Sequence, residues 1–66
     1  MNKNPIFLYY EELEAIKLVD YENLSQEQAG IQMKVSRGTI WRLVQSGRFK
    51  ILSSILEGRP LYIIPR

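Results

Sequence analysis

Between Val35 and Arg48 the sequence reads VSRGTIWRLVQSGR, a run that holds Arg37, Trp41, Arg42 and Arg48 without a single carboxylate. A guanidinium presents a rigid fork of donors that matches phosphate oxygens, or the two major-groove acceptors of a guanine. The same run keeps apolar residues at Val35, Ile40, Leu43 and Val44. At helical spacing those residues hold one face against a core, and Arg37, Thr39, Trp41, Arg42 and Arg48 fall on or beside the other. Thr39 can offer a hydroxyl, or a methyl group to a thymine methyl. Gly38, with no side chain, lets the backbone come close. Ser36, Arg48 and Lys50 are better placed to hold phosphates than to read bases.

The charge distribution points the same way. Residues 1–33 carry Lys3 and Lys17 against Glu11, Glu12, Glu14, Asp20, Glu22 and Glu27, a net −4; residues 34–66 carry seven cations against Glu57, a net +6. No acid occurs from 34 to 56. A basic segment of one sign suits a polyanionic partner. The competing reading is a basic face balanced by the acidic first helix within the fold. Glu12 and Glu57 read as ordinary charges on helix surfaces.

Other chemistries are short of parts. The 66 residues include no cysteine and no histidine, so disulfides, thiolate metal sites and imidazole catalysis are excluded. With no glycine-rich phosphate loop and no clustered carboxylate pair, neither an enzyme nor a cofactor is expected. The apolar runs fall well below the ~20 residues that span a bilayer, and nothing at the start resembles a signal peptide. A cytoplasmic protein is expected. One domain of this size buries only about 60% of its unfolded surface, so a partner chain would add stability.

These residues must be positioned by helices. Leu13, Ile16, Leu18 and Val19 predict an amphipathic helix over 10–21, with Glu11, Glu12 and Glu14 at its dipole-positive start. In NLSQEQAG, Ser25 and Gln28 form a capping box, opening a short helix over 25–33 with Ala29, Gly30 and Met33 inside. Ser36 caps a further helix from about 37 to 57, whose apolar stripe runs through Ile40, Leu43, Val44, Gly47, Ile51 and Ile55 and stops at Gly58. Ile6-Phe7-Leu8 and Leu61-Tyr62-Ile63-Ile64 are β-prone runs at the two ends. Since an uncovered lone strand is marginal, they are expected to pair with each other, within one chain or across a dimer.

Two short helices joined by a tight turn, the second of them basic, is a helix-turn-helix arrangement. From EELEAIKL through LSQEQAG, KVSRGT and EGRPLYI, the chain resembles an uncharacterised prokaryotic family of small predicted DNA-binding proteins, over about Leu8 to Ile63. That family in turn resembles region four of bacterial sigma factors. The resemblance implies a mainly α fold: a single three-helix domain over 1–66, sigma-region-four-like, with its helix-turn-helix at about 25–57 and short terminal strands. By position it places Arg37, Gly38, Thr39, Trp41 and Arg42 at base edges or in the groove, and Ser25 and Gln26 at phosphates. Two residues depart from the family pattern: Lys34 stands where the turn usually has glycine, and Gly30 where the helix usually has alanine. The family also tends to carry a basic N-terminal extension, and here only Met1 to Asn4 precede Pro5.

The expected partners are double-stranded DNA and a second copy of the chain, with no membrane. The leading expectation is transcriptional regulation. One alternative is a protein-interaction module whose acidic first helix meets a partner in the transcription machinery. Another is an excisionase-type winged helix, in which Gly47 ends the helix and residues 48–51 begin a wing.

Overall fold

A computed structural model describes residues 3–65; Met1 and Asn2 of the short segment before Pro5, and Arg66 among the C-terminal cations, lie outside the described residues. Strand β1 (Ile6–Tyr9) leads directly into helix α1 (Tyr10–Ile16), which continues as a wider turn over Lys17–Tyr21. Helices α2 (Gln26–Met33) and α3 (Arg37–Glu57) follow, and strand β2 (Leu61–Ile64) closes the chain. The protein is therefore mainly helical, with three helices and a two-stranded parallel sheet. Its strands pair within one chain, Ile6 opposite Leu61 through Tyr9 opposite Ile64. A parallel pair needs a long crossover, and all three helices supply it.

The helix ends follow from local chemistry. Ser25 Oγ accepts from the Gln28 N–H at 3.0 Å while Gln28 Oε1 accepts from the Ser25 N–H at 2.9 Å, so the capping box is complete. Ser36 Oγ accepts from the Thr39 N–H at 3.1 Å and opens α3. That helix runs unbroken for 21 residues to a left-handed Gly58 at φ 63°. A wing beginning at 48–51 is thereby excluded, because those residues lie in mid-helix.

The expected single helix over 10–21 is altered at its end. After Ile16 the bonds lengthen: the Glu22 N–H bonds the Lys17 carbonyl at the five-residue π spacing and the Leu24 N–H bonds the Leu18 carbonyl six residues back, each at 2.9 Å. The wide turn closes at Asn23, left-handed at φ 62°, a conformation asparagine tolerates. Over a single turn, apolar spacing does not distinguish an α from a π period.

The core joins Ala15 and Leu18 of the first helix, Ala29 of α2, and Ile40 and Val44 of α3, with Val19, Leu24, Met33, Val35 and Leu43 packed around them. Two glycines allow the close approaches. A Cβ on Gly47 would sit 2.3 Å from Ile16 Cδ1, where α3 crosses α1, and a Cβ on Gly30 would sit 2.7 Å from the Val35 carbonyl oxygen. The alanine usual at position 30 would thus press on the backbone of the turn. Beyond Gly47 the apolar stripe leaves the core. Ile51 is half-buried and Ile55 is 71% exposed. The physical reason is length, since α3 overhangs the shorter helices it packs against. Among the described residues no helix is long and apolar enough to cross a membrane.

The turn at Lys34 is made without glycine. Lys34 adopts φ 61°, left-handed, while its N–H and that of Val35 close α2 on Ile31 and Gly30. A side chain in that region costs about 1 kcal/mol or more. Lys34→Gly is therefore expected to raise stability by up to about 1 kcal/mol, the relief being partly offset by glycine's greater freedom when unfolded. Chemical denaturation measures this; a loss of stability would show that the Lys34 side chain contributes more than its backbone costs.

Candidate nucleic-acid interface

The first half of α3 is pinned on one side. Ile40 is fully buried and Val44 1% exposed, and both lie against the first two helices. Successive residues turn by about 100° along a helix, so Gly38 and Arg42 face away from that anchor and Trp41 lies at its side, while Arg37, seven residues before Val44, stands on the anchored stripe in the first turn, ahead of Ile40. All four are exposed, with Trp41 at 46%. A half-exposed indole has lost part of its hydration to the helix surface and keeps a flat apolar face for a partner.

The remaining expected site residues divide. Thr39 is half-buried, and its Oγ1 lies 3.0 Å from Ser36 Oγ, so its hydroxyl is engaged and its methyl group is what remains to offer. Ser25 and Ser36 spend their hydroxyls on their caps, which leaves backbone N–H groups as the donors at each helix start. Gln26 is half-buried in the first turn of α2, beside the exposed acid Glu27.

Arg48 lines up with Arg37 and Trp41 on the same helical stripe, but it is held. Its Nε donates to Asp20 Oδ2 at 3.0 Å and its Nη2 to Asp20 Oδ1 at 2.6 Å. The guanidinium bond holds the Asp20 carboxyl below its usual range, and the carboxylate raises Arg48 in turn. Lys50 lies on the other side of the helix. Its Nζ donates to Glu12 Oε1 at 2.9 Å and stands 4.3 Å from the centre of the Tyr9 ring. With its side chain 24% exposed, Lys50 is part of the fold's packing and is not grouped with the arginines.

Glu12 corrects the reading of a surface charge. It is 3% exposed and accepts from the Tyr9 N–H at 2.8 Å, from Lys50 and from the Ser46 hydroxyl. Burial alone would raise its carboxyl, but the bonds from Ser46, Lys50 and Tyr9 outweigh it and hold the group below its ordinary value. The bond to the Tyr9 N–H also starts α1, in place of the capping hydroxyl that Tyr9 lacks. The acidic first helix is accordingly less free than its sequence implies: Glu12 is buried, Asp20 holds Arg48, and Glu22 pairs with Lys17 at 3.2 Å.

One side chain was missed. Gln45 is exposed, four residues after Trp41 and three after Arg42, and extends their face by a turn. The helical period alone would have found it.

Among the described residues no group of three or more His, Cys, Asp or Glu could hold a metal ion. An open groove of about 420 Å³ lies between β1 and α3, lined in part by Ser46, Phe49, Lys50 and Arg59. Its cations are already engaged, Lys50 by Glu12 and Arg59 by Glu57 and the Asn4 carbonyl.

The family described as "Protein of unknown function DUF134" matches residues 2–65. The chain is 57% identical over 63 residues to a UPF0251 protein of Thermococcus kodakarensis, covering 96% of this chain and 56% of that one. To a UPF0251 protein of Pyrococcus furiosus it is 56% identical over 64 residues, covering 97% and 59%. A bacterial UPF0251 protein of Vibrio cholerae is 49% identical over 53 residues, covering 80% and 54%. The chain thus spans little more than half the length of these relatives. No solved structure matches it.

Proposed function

The chain belongs to the DUF134 family, and we propose that it binds double-stranded DNA through a helix-turn-helix made of α2 and α3, as a transcriptional regulator does. One observation carries the reading. The anchoring of α3 by Ile40 and Val44 leaves Arg37, Gly38, Trp41 and Arg42 exposed together, on a helix with no carboxylate before Glu57.

In this arrangement the start of α3 enters the major groove. Arg37, in the first turn, reaches a guanine through two acceptors, and Gly38 lets the backbone approach. Trp41 lays its ring against sugar or a base methyl. Arg42 spans to the phosphate or the base beside it, and the Gln45 amide reaches an adenine edge. Thr39 contributes its methyl group. Phosphates are held by the N–H groups that follow Ser25 and Ser36 and by Lys34 at the turn. Arg48 joins them by exchanging Asp20 for a phosphate, whereas Lys50 stays with Glu12.

Binding to a random-sequence duplex, followed by fluorescence anisotropy, tests the reading. With about four phosphates neutralised, affinity falls on the order of 100-fold between 50 and 200 mM salt. Absence of binding at the lower salt, or binding indifferent to salt, would overturn the DNA reading.

A further inference from the structure

The second half of α3 carries an apolar surface that the fold leaves uncovered. Phe49, Leu52, Ile55 and Leu56 are 74%, 54%, 71% and 74% exposed. Phe49, Leu52 and Leu56 follow one another at spacings of three and four, the seam along which one helix packs on another. Four such side chains present on the order of 500 Å² of apolar surface, as much as the largest patch on a typical monomer.

We infer that this face pairs with the same face of a second copy, the two α3 helices crossing antiparallel at Leu52. Two observations select that occupant. The first is area: the patch paired with itself covers on the order of 1,000 Å², the lower limit for a specific interface before the rim is counted. The second is charge. An antiparallel crossing at Leu52 sets Arg48 of each copy opposite Leu56 of the other, beside Glu57 and the partly negative end of that helix, whereas a parallel pairing sets Arg48 against Arg48. The single acid of α3, Glu57, ends the helix and all four of its cations precede it, which suits a two-fold axis at Leu52.

Sedimentation equilibrium of the native chain near 100 µM tests the pairing without DNA. A dimer is expected, and Leu52→Glu is expected to shift it to monomer while circular dichroism stays native, since the side chain lies outside the core. A cysteine probe gives an independent readout, because the chain has no cysteine of its own. Leu52→Cys is expected to form a disulfide-linked dimer in air at least ten times faster than Gln32→Cys, on the exposed side of α2. A monomeric native chain, or equal cross-linking rates at the two positions, overturns the second copy as occupant and leaves the face to a different chain. The two readings fail separately: a dimer that ignores DNA keeps this surface and loses the function, and a monomer that binds DNA does the reverse.

Discussion

Arg37→Ala/Arg42→Ala is expected to lower affinity for duplex DNA on the order of 100-fold and to leave the fold intact. Each arginine in a groove contributes about 1–3 kcal/mol, and two together exceed the tenfold that 1.4 kcal/mol represents. If one of the pair holds a phosphate, the salt dependence also becomes shallower by about one phosphate's worth. The fold is insulated because both side chains are exposed, and the anchoring of α3 rests on Ile40 and Val44. Lys50→Ala is the informative contrast. It removes one cation from the same helix, half the charge that the pair removes, and from the face turned toward Glu12 and Tyr9. It should lower stability and leave the arginine face working. Anisotropy titrations of the three proteins decide the matter, and a loss for Lys50→Ala half that of the pair on a logarithmic scale would show that net charge, not the arginine face, governs binding.

That contrast marks where the sequence is a sound guide. Helix boundaries at Ser25, Ser36 and Gly58 are legible because a cap is an interaction between residues at most a few positions apart. The grouping of Gly38, Trp41 and Arg42 is legible for a related reason, since helical geometry turns spacing into direction. Lys50 is not legible. Its neighbours from 34 to 56 include no acid, so it reads as a free cation, yet its partner Glu12 lies 38 residues earlier. The Arg48–Asp20 pair spans 28 residues and escapes in the same way. The end of α3 illustrates a second limit. The apolar stripe shows which face of a helix seeks cover, but how far the rest of the fold reaches along it depends on the lengths of its neighbours. Gly47 carried an indirect clue to the Glu12 cluster. A glycine on an otherwise apolar stripe marks a close crossing, and here it lies between Ile16 and Glu12 of the opposing helix.

The buried carboxylate gives the largest expected effect on stability. Glu12→Gln keeps the size of the side chain and one acceptor, but it withdraws the charge that Lys50 and Ser46 are arranged around. A hydrogen bond to a charged group contributes about 1.5–3 kcal/mol. Lys50 is partly exposed and can turn toward water, which softens the loss to about 2 kcal/mol and a melting temperature lower by roughly 10 °C for a domain of this size. The loss is tied to pH, and its sign follows from the direction of the shift. The Glu12 carboxyl is held below its ordinary value in the fold, so its contribution is fully present above the ordinary carboxylate range and fades as pH falls through the lowered value. Asp20, lowered by Arg48, adds a smaller effect of the same sign from a more exposed position. The native chain should therefore lose stability steeply on acidification, and Glu12→Gln should lose less, so that the two melting curves converge as pH falls through the lowered Glu12 value. A difference in melting temperature that stays constant through acid titration would mean that Glu12 acts through its shape alone. Convergence would mean that Glu12 acts through its charge, held against Ser46 and Lys50 of α3.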